Sequence, residues 1–247
     1  MLLAPALTAP DLLDTTLARD GFAVLGADDL PALLGQGAEA LVHWLPLWES
    51  LPPDRYLKDG GRYRRRRHGS FIVDGERVIQ QPHRPHWQPV EYNALHGGIE
   101  RHFEPLPPAL VDDPLWQRFL AMGAARASAL KGARPWYVEA HLFRIDTADG
   151  IGRPTPEGAH RDGVDLVSVT LIAREGIKGG ETRVFAAQGR EGLRFTLTQP
   201  FATLWLDDER VIHESTPIQP AQPGAVGHRD TLVLTFRAGG FQGPTAT

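Results

Sequence analysis

The chain contains no cysteine. Disulfide staples, thiol nucleophiles and zinc–thiolate sites are therefore excluded, and the absence fits a reducing, cytoplasmic setting. Lysine is scarce, present only as Lys58, Lys131 and Lys178, while arginine is abundant. We read that as a coding bias without functional content. No apolar run approaches the roughly 20 residues of a membrane span. The opening segment, MLLAPALTAP, lacks a basic n-region and a long apolar h-region, so no secretory signal is expected. The formal net charge of −4 supplies no overall basic field for nucleic acid. What remains is ordinary for a globular protein: 247 residues, 42% hydrophobic and 23% charged, with enough apolar material for one substantial core.

Hydrophobic spacing predicts helices over Asp11–Arg19, Leu30–Leu45 and from Asp113-Pro114 to about Lys131. It predicts a short strand over Gly21–Leu25 and a hairpin formed by Tyr63–Val73 and Arg77–Gln81 around Asp74-Gly75. Residues 81–108 are rich in Pro and His and read as loop. Beyond Trp136 the texture turns to short strands: Tyr137–Ile145, Leu166–Arg174, Thr182–Phe185, Arg194–Leu197, Ala202–Leu206, Val211–His213 and Thr231–Phe236. The fold class expected is α+β with a mainly β core, a barrel or jelly roll buttressed by N-terminal helices. Residues 1–247 read as one domain, with 1–135 as helical and loop-rich support and 136–240 as the β core.

His160 and Asp162 stand two apart at the start of an apolar run, so a strand there would point both at one spot. His213 follows much later beside another short β-like run. Two imidazoles and one carboxylate form a facial set with open metal positions, the arrangement of non-heme Fe(II) oxygenases. The bland alternative is a surface His160 with a capping Asp162. Arg229 opens the final strand and shares a face with Thr231. A guanidinium fork with a neighbouring hydroxyl suits the distal carboxylate of 2-oxoglutarate. Arg237, at the strand's far end, is the alternative anchor. The expected cofactors are Fe(II), 2-oxoglutarate and O2.

The other polar candidates carry less. Glu139, His141 and Phe143 share one strand face and Arg144 the other, and either face can reach a cavity. His141 serves equally as a buried structural group or a substrate contact. Arg144 suits a structural ion pair or a substrate carboxylate. Thr182 and Trp205 are candidate barrel-lining residues, with apolar packing the default for Trp205. His83, His86, His96 and His102 read as ordinary loop histidines.

The chain resembles the bacterial 2OG-Fe dioxygenase family that includes the L-isoleucine hydroxylases. The resemblance spans most of the sequence. It rests on Arg62-Tyr63-Arg64-Arg65, Asn93 to Arg101, Val138-Glu139-Ala140-His141 with Phe143-Arg144-Ile145, and His160-Arg161-Asp162-Gly163. Gly179-Gly180-Glu181, His213 to Ile218 and Arg229 to Phe236 complete it. It implies a double-stranded β-helix, the ligands His160, Asp162 and His213, and Arg229 as the 2-oxoglutarate anchor. It also implies a free aliphatic L-amino acid as substrate, oxidised as 2-oxoglutarate becomes succinate and CO2. The run Arg64 to Arg67 departs from the family pattern. Two other readings stay open: a nucleobase or protein oxygenase on the same fold, supported only by that run, and a non-enzymatic carboxylate-binding or stress-related protein.

Overall fold

The computed structural model describes residues 2–93, 95 and 97–244. His96 lies outside the described residues. Helix α1 (Leu13–Asp20) leads through Gly21, whose φ is +80°, into strand β1 (Phe22–Leu25). The helix expected over Leu30–Leu45 is instead two pieces, α2 (Asp29–Leu33) and a 3-10 helix over Ala38–Trp48. Gly35, at φ +70°, ends the first piece, and Pro46 removes a donor inside the second.

The hairpin expected around Asp74-Gly75 is present as β2 (Arg64–Asp74) and β3 (Arg77–Gln80). A long segment, 81–103, then leads to β4 (Glu104–Pro105), α3 (Pro108–Val111) and α4 (Pro114–Lys131). Asp113 caps α4 by accepting the Leu115 N–H at 2.8 Å, with Pro114 in the first turn. The remaining strands are β5 (Trp136–Asp146), β6 (Leu166–Glu175), β7 (Ile177–Gly179), β8 (Thr182–Ala186), β9 (Gly192–Phe195), β10 (Thr203–Asp207), β11 (Val211–Ser215), β12 (Ile218–Pro220) and β13 (His228–Ala238).

The major sheet has the order β1-β10-β6-β13-β5-β2-β3, with β4 pairing in parallel to β2. A three-stranded sheet, β11-β8-β9, and a two-stranded one, β12-β7, complete the β structure. The major sheet is buried on both faces. Its outer face presents Phe71, Val73, Val138, Ala140, Leu142, Leu232, Leu234 and Phe236 to the helices, where Trp44, Trp48, Trp116 and Phe119 pack. At one end of its inner face, Val167, Leu171, Leu204 and Leu206 meet Val184, Phe195 and Val211 of the small sheet. The rest of the inner face carries most of the buried polar side chains, interspersed with Phe143, Ile145, Val169 and Val233, and it forms the wall of a cavity.

Candidate metal and co-substrate site

Register alone brings the cavity wall together. β2, β5 and β13 are adjacent, so Arg64 pairs with Ile145 and Ile145 with Arg229. One row along, Arg66 pairs with Phe143 and Phe143 with Thr231; the next row joins His68, His141 and Val233. These alternate positions share one face. Glu139, His141, Phe143, Ile145, Arg229, Thr231, Val233 and Thr235 therefore line a cavity of ≈ 130 Å³ together with Arg64 and Arg66. Segment 81–103 contributes His86, Gln88, Asn93 and Arg101 to the same wall.

His160, Asp162 and His213 sit at this cavity, with one donor atom from each within 4.8 Å of the others. The Nε2 atoms of His160 and His213 lie 3.8 and 3.7 Å from the two carboxylate oxygens of Asp162. Both distances fall inside twice a metal–ligand bond of roughly 2.1 Å. Burial depresses the His213 pKa to about 3, which keeps the imidazole in its neutral, ligating form.

The reason for this convergence differs from the expected strand alternation. Strand β6 begins only at Leu166. His160 instead makes an isolated bridge to His213, its N–H reaching the His213 carbonyl at 3.0 Å and the reverse bond spanning 2.9 Å. Asp162 lies in a turn held by Asp208. The Oδ1 of Asp208 accepts the Asp162 N–H at 3.0 Å, and its Oδ2 accepts those of Gly163 and Val164 at 2.8 and 3.1 Å. Gly163 has a φ of +75°, and a Cβ there would come within 2.4 Å of the Tyr92 ring. Only glycine fits that turn. Gln88 supports Asp162 from the other side, donating to its Oδ1 at 3.4 Å.

Arg229 is 5% exposed and lines the cavity. No carboxylate among the described residues forms an ion pair with it. Burial, with Arg174 nearby, holds its pKa down to about 10, so it stays cationic at neutral pH. Thr231 stands beside it on the inner face. A bulge between Asp230 and Thr231 breaks the ladder to β6 there, and Trp48 Nε1 donates from the outer side to the carbonyls of Phe143 and Thr231 at 3.1 and 3.2 Å. Arg237 does not reach the cavity; it donates to the Gly240 carbonyl.

Three weaker candidates are placed elsewhere. Arg144 points to the outer face, where it grips Asp230 at 2.8 and 2.7 Å and Glu49 at 2.9 Å. Strand parity puts it opposite to Glu139 and His141, so it is a structural ion pair. Trp205 is fully buried against the helices, edge-on to Phe119, because β10 turns Leu204 and Leu206 inward. Thr182 is buried at the start of β8, opposite Ser215, and does not line the cavity.

His141 does line it, within a second histidine cluster that sequence reasoning missed. His68, His86 and His141 are all buried, with nitrogens within 4.8 Å. Glu139 Oε1 accepts from His68 Nε2 at 3.0 Å and His86 Nδ1 at 3.3 Å, while Arg66 Nη2 donates to His141 Nδ1 at 2.8 Å. A guanidinium already occupies one imidazole nitrogen and repels a cation, so this cluster is a hydrogen-bond network and not a second metal site. Burial keeps all three imidazoles neutral, His86 down to about pH 3.

A family model described as 2OG-Fe dioxygenase matches residues 45–235. The chain belongs to the 2OG-Fe dioxygenase family. It is similar to the crystal structure of a bsmA homolog (Mpe_A2762) from Methylobium petroleophilum PM1, 51% identical, with a TM-score of 0.92 over 98% of each chain. More distant likenesses extend to the fold alone. The structure of IDO from Bacillus thuringiensis has 16% identity and a TM-score of 0.70, covering 94% of this chain and 100% of its own. The Fe(II)/(alpha)ketoglutarate-dependent dioxygenase TqaL has 19% identity and a TM-score of 0.71, covering 92% of this chain and 86% of its own. No curated protein matches. The sheets described above are thus a double-stranded β-helix, and the protein is an Fe(II)- and 2-oxoglutarate-dependent oxygenase using O2. The donor set of two imidazole nitrogens and a carboxylate fits Fe(II), and Arg229, with no ion-pair partner among the described residues, fits a dicarboxylate co-substrate.

Proposed function

We propose that this oxygenase hydroxylates a free L-amino acid or a closely similar small molecule. His160, Asp162 and His213 hold Fe(II), and Arg229 with Thr231 holds the distal carboxylate of 2-oxoglutarate. The observation that carries this reading is the shared cavity: triad, unpaired cation and hydroxyl all face one space. The family resemblance supplies the substrate class.

Bound Fe(II) and 2-oxoglutarate supply oxidative chemistry that converts the co-substrate to succinate and CO2 and inserts one oxygen atom into a C–H bond. The residues of this chain do the positioning. Asp208 and Gly163 fix the turn that presents Asp162. The bridge between His160 and His213 sets the separation of the two imidazoles. Arg229 fixes the orientation of the co-substrate by a planar fork, and Val169, Val233 and Phe143 add apolar surface to the cavity wall. No side chain needs to act as a general base.

The arginine run that favoured a nucleic-acid substrate is split by strand parity. Arg64 and Arg66 point inward, whereas Arg65 meets Asp146 at 3.4 Å and Arg67 donates to the Pro105 carbonyl at 3.0 Å. It forms no continuous basic surface.

The test is an L-amino-acid panel incubated with Fe(II) and 2-oxoglutarate. Succinate release that depends on one amino acid, with a product heavier by one oxygen atom, is the expected result. Succinate release stimulated by no amino acid, but by a peptide or nucleobase, would replace this substrate class.

A further inference from the structure

The cavity has a second cationic wall that the metal and co-substrate roles leave unused. Arg66 and Arg101 are 3% and 1% exposed. Arg64, their neighbour, is neutralised: its Nε donates to Asp54 Oδ2 at 2.7 Å. The other oxygen of Asp54 is taken by the Tyr56 N–H at 2.8 Å. Glu139 is likewise matched, since Arg84 reaches its Oε1 at 3.4 Å. Arg66 is left 4.0 Å from the occupied Asp54 oxygen. Arg101 forms no ion pair among the described residues. The three buried histidines are neutral and add no charge.

Two buried guanidiniums therefore face one cavity, Arg101 with no ion pair among the described residues and Arg66 with only a 4.0 Å pairing to an Asp54 oxygen that Arg64 already holds. The Nε atom of each is buried without an acceptor. Arg66 is stiffened in place between the rings of Phe103 and Phe143, 3.8 and 4.4 Å from their centroids. Arg101 is fixed by Gln88, whose Oε1 accepts its Nη2 at 2.8 Å. Preorganised, desolvated cations with unfilled donors and only partial charge compensation are the features of an anion site.

This wall is distinct from the Arg229 wall. Arg66 is on β2, two strands from Arg229 on β13, and Phe143 of the intervening strand stands beside Arg66. Arg101, by contrast, is one side chain from the metal ligand: Gln88 bonds both Arg101 and Asp162. An anion on Arg101 would extend its attached carbon chain toward the triad.

We propose that Arg66 and Arg101 together hold the carboxylate of the primary substrate and thereby aim its aliphatic chain at the metal. This deepens the reading above and rests on the protein being an oxygenase of small molecules. Glu157 completes the match to a zwitterion. It lines the same cavity, and its buried Oε2 has no hydrogen-bond donor among the described residues, which suits an ammonium group.

The experiment is anaerobic calorimetry on the Fe(II)-loaded protein saturated with 2-oxoglutarate. Aliphatic L-amino acids are titrated first. Each is then compared with its amide, its decarboxylated amine and its des-amino acid, for example L-leucine, L-leucinamide, isopentylamine and 4-methylpentanoate. A carboxylate probe should bind about thirty-fold or more tighter than its amide, the cost of leaving buried cations unpaired. In Arg101→Gln and Arg66→Lys that preference should fall toward unity while 2-oxoglutarate affinity is unchanged, which also shows that the variants are folded. Equal binding of acid and amide by the unaltered protein overturns the proposal, and so does failure of every carboxylate probe to bind. Equal weakening of acid and amide in the variants, or a loss of 2-oxoglutarate affinity alone, also overturns it. Should neither variant fold, the acid-to-amide ratio of the unaltered protein decides. If 4-methylpentanoate binds as tightly as L-leucine, with the same arginine dependence, the carboxylate subsite stands and the amino-acid reading falls.

Discussion

Replacing Arg229 with alanine tests the co-substrate assignment most directly. The guanidinium is buried, faces the cavity and lacks any ion-pair partner among the described residues, so its cationic charge is available to a ligand. Truncation leaves the distal carboxylate of 2-oxoglutarate buried without its charge-assisted partner. Such losses cost roughly 2–5 kcal/mol, and 2 kcal/mol already corresponds to about thirty-fold in affinity. The structure favours the lower part of that range. Arg174 is close enough to depress the Arg229 pKa, and its Nη1 is buried without an acceptor, so it can turn toward the orphaned anion. We therefore expect the KM for 2-oxoglutarate to rise by on the order of thirty-fold or more in Arg229→Ala, with Fe(II) affinity little changed. Arg229→Lys should recover part of the loss, because an ammonium restores charge without the bidentate fork. The assay is succinate release against 2-oxoglutarate concentration at saturating Fe(II). An unchanged dependence in Arg229→Ala, with a large loss in Arg237→Ala, would transfer the anchor to Arg237. No effect from either would remove the basis for placing the co-substrate on β13.

Three further outcomes are expected. Asp162→Ala should abolish turnover and weaken Fe(II) binding while leaving the melting temperature nearly unchanged, because the residue sits in a turn outside the apolar clusters; near-normal succinate release would refute its role as a ligand. Asp208→Asn exchanges one of two acceptor oxygens for a donor facing backbone N–H groups, and the loosened turn should weaken Fe(II) affinity by about 10–100-fold, as losses behind metal ligands do; unchanged metal titration would show that the turn holds without it. Acid should destabilise the fold between about pH 6.5, where histidines of the unfolded chain protonate, and about pH 3, where burial sets the His86 pKa. In that window the unfolded chain binds more protons, so stability falls as pH falls. If all three cluster imidazoles stay neutral, the slope reaches about 4 kcal/mol per pH unit, and His86→Gln should lower it in urea titrations of the metal-free protein; a flat profile would contradict neutral burial.

The fold was largely legible because its signals are local. Period-two runs marked β5, β6 and β13, Asp74-Gly75 marked the hairpin, and Asp113-Pro114 marked the start of α4. The helix expected over Leu30–Leu45 failed where Gly35 and Gly37 interrupt it. That His160, Asp162 and His213 come together was legible from residue type and chain order, although the cause of the convergence was not. Strand alternation was the expected cause, but a bridge and a carboxylate-held turn bring the three side chains together. Asp208 looked like a turn residue, and it is one; nothing local shows that its oxygens hold a loop more than forty residues earlier.

The arginines of β2 mark the limit of local reading. Alternation along this strand was visible, with Phe71 and Val73 on one face and Arg64, Arg66, His68 and Ser70 on the other. In a sheet with one solvated face, the polar set belongs in water. Here both faces are buried. The apolar set meets the helices, and the polar set meets the cavity, where its neighbours across β5 are Ile145, Phe143, His141 and Glu139. Which polar face is solvated depends on what segment 81–103 and the small sheet cover, and that is fixed by contacts far apart in sequence. A strand whose polar face is buried must satisfy its charges within the protein or with a ligand. Asp54 does so for Arg64. Arg66 and Arg229 on the sheet, and Arg101 on the segment that covers it, have no such full partner, so the burial of their charges, rather than the presence of arginine, marks them as candidates for binding an anion.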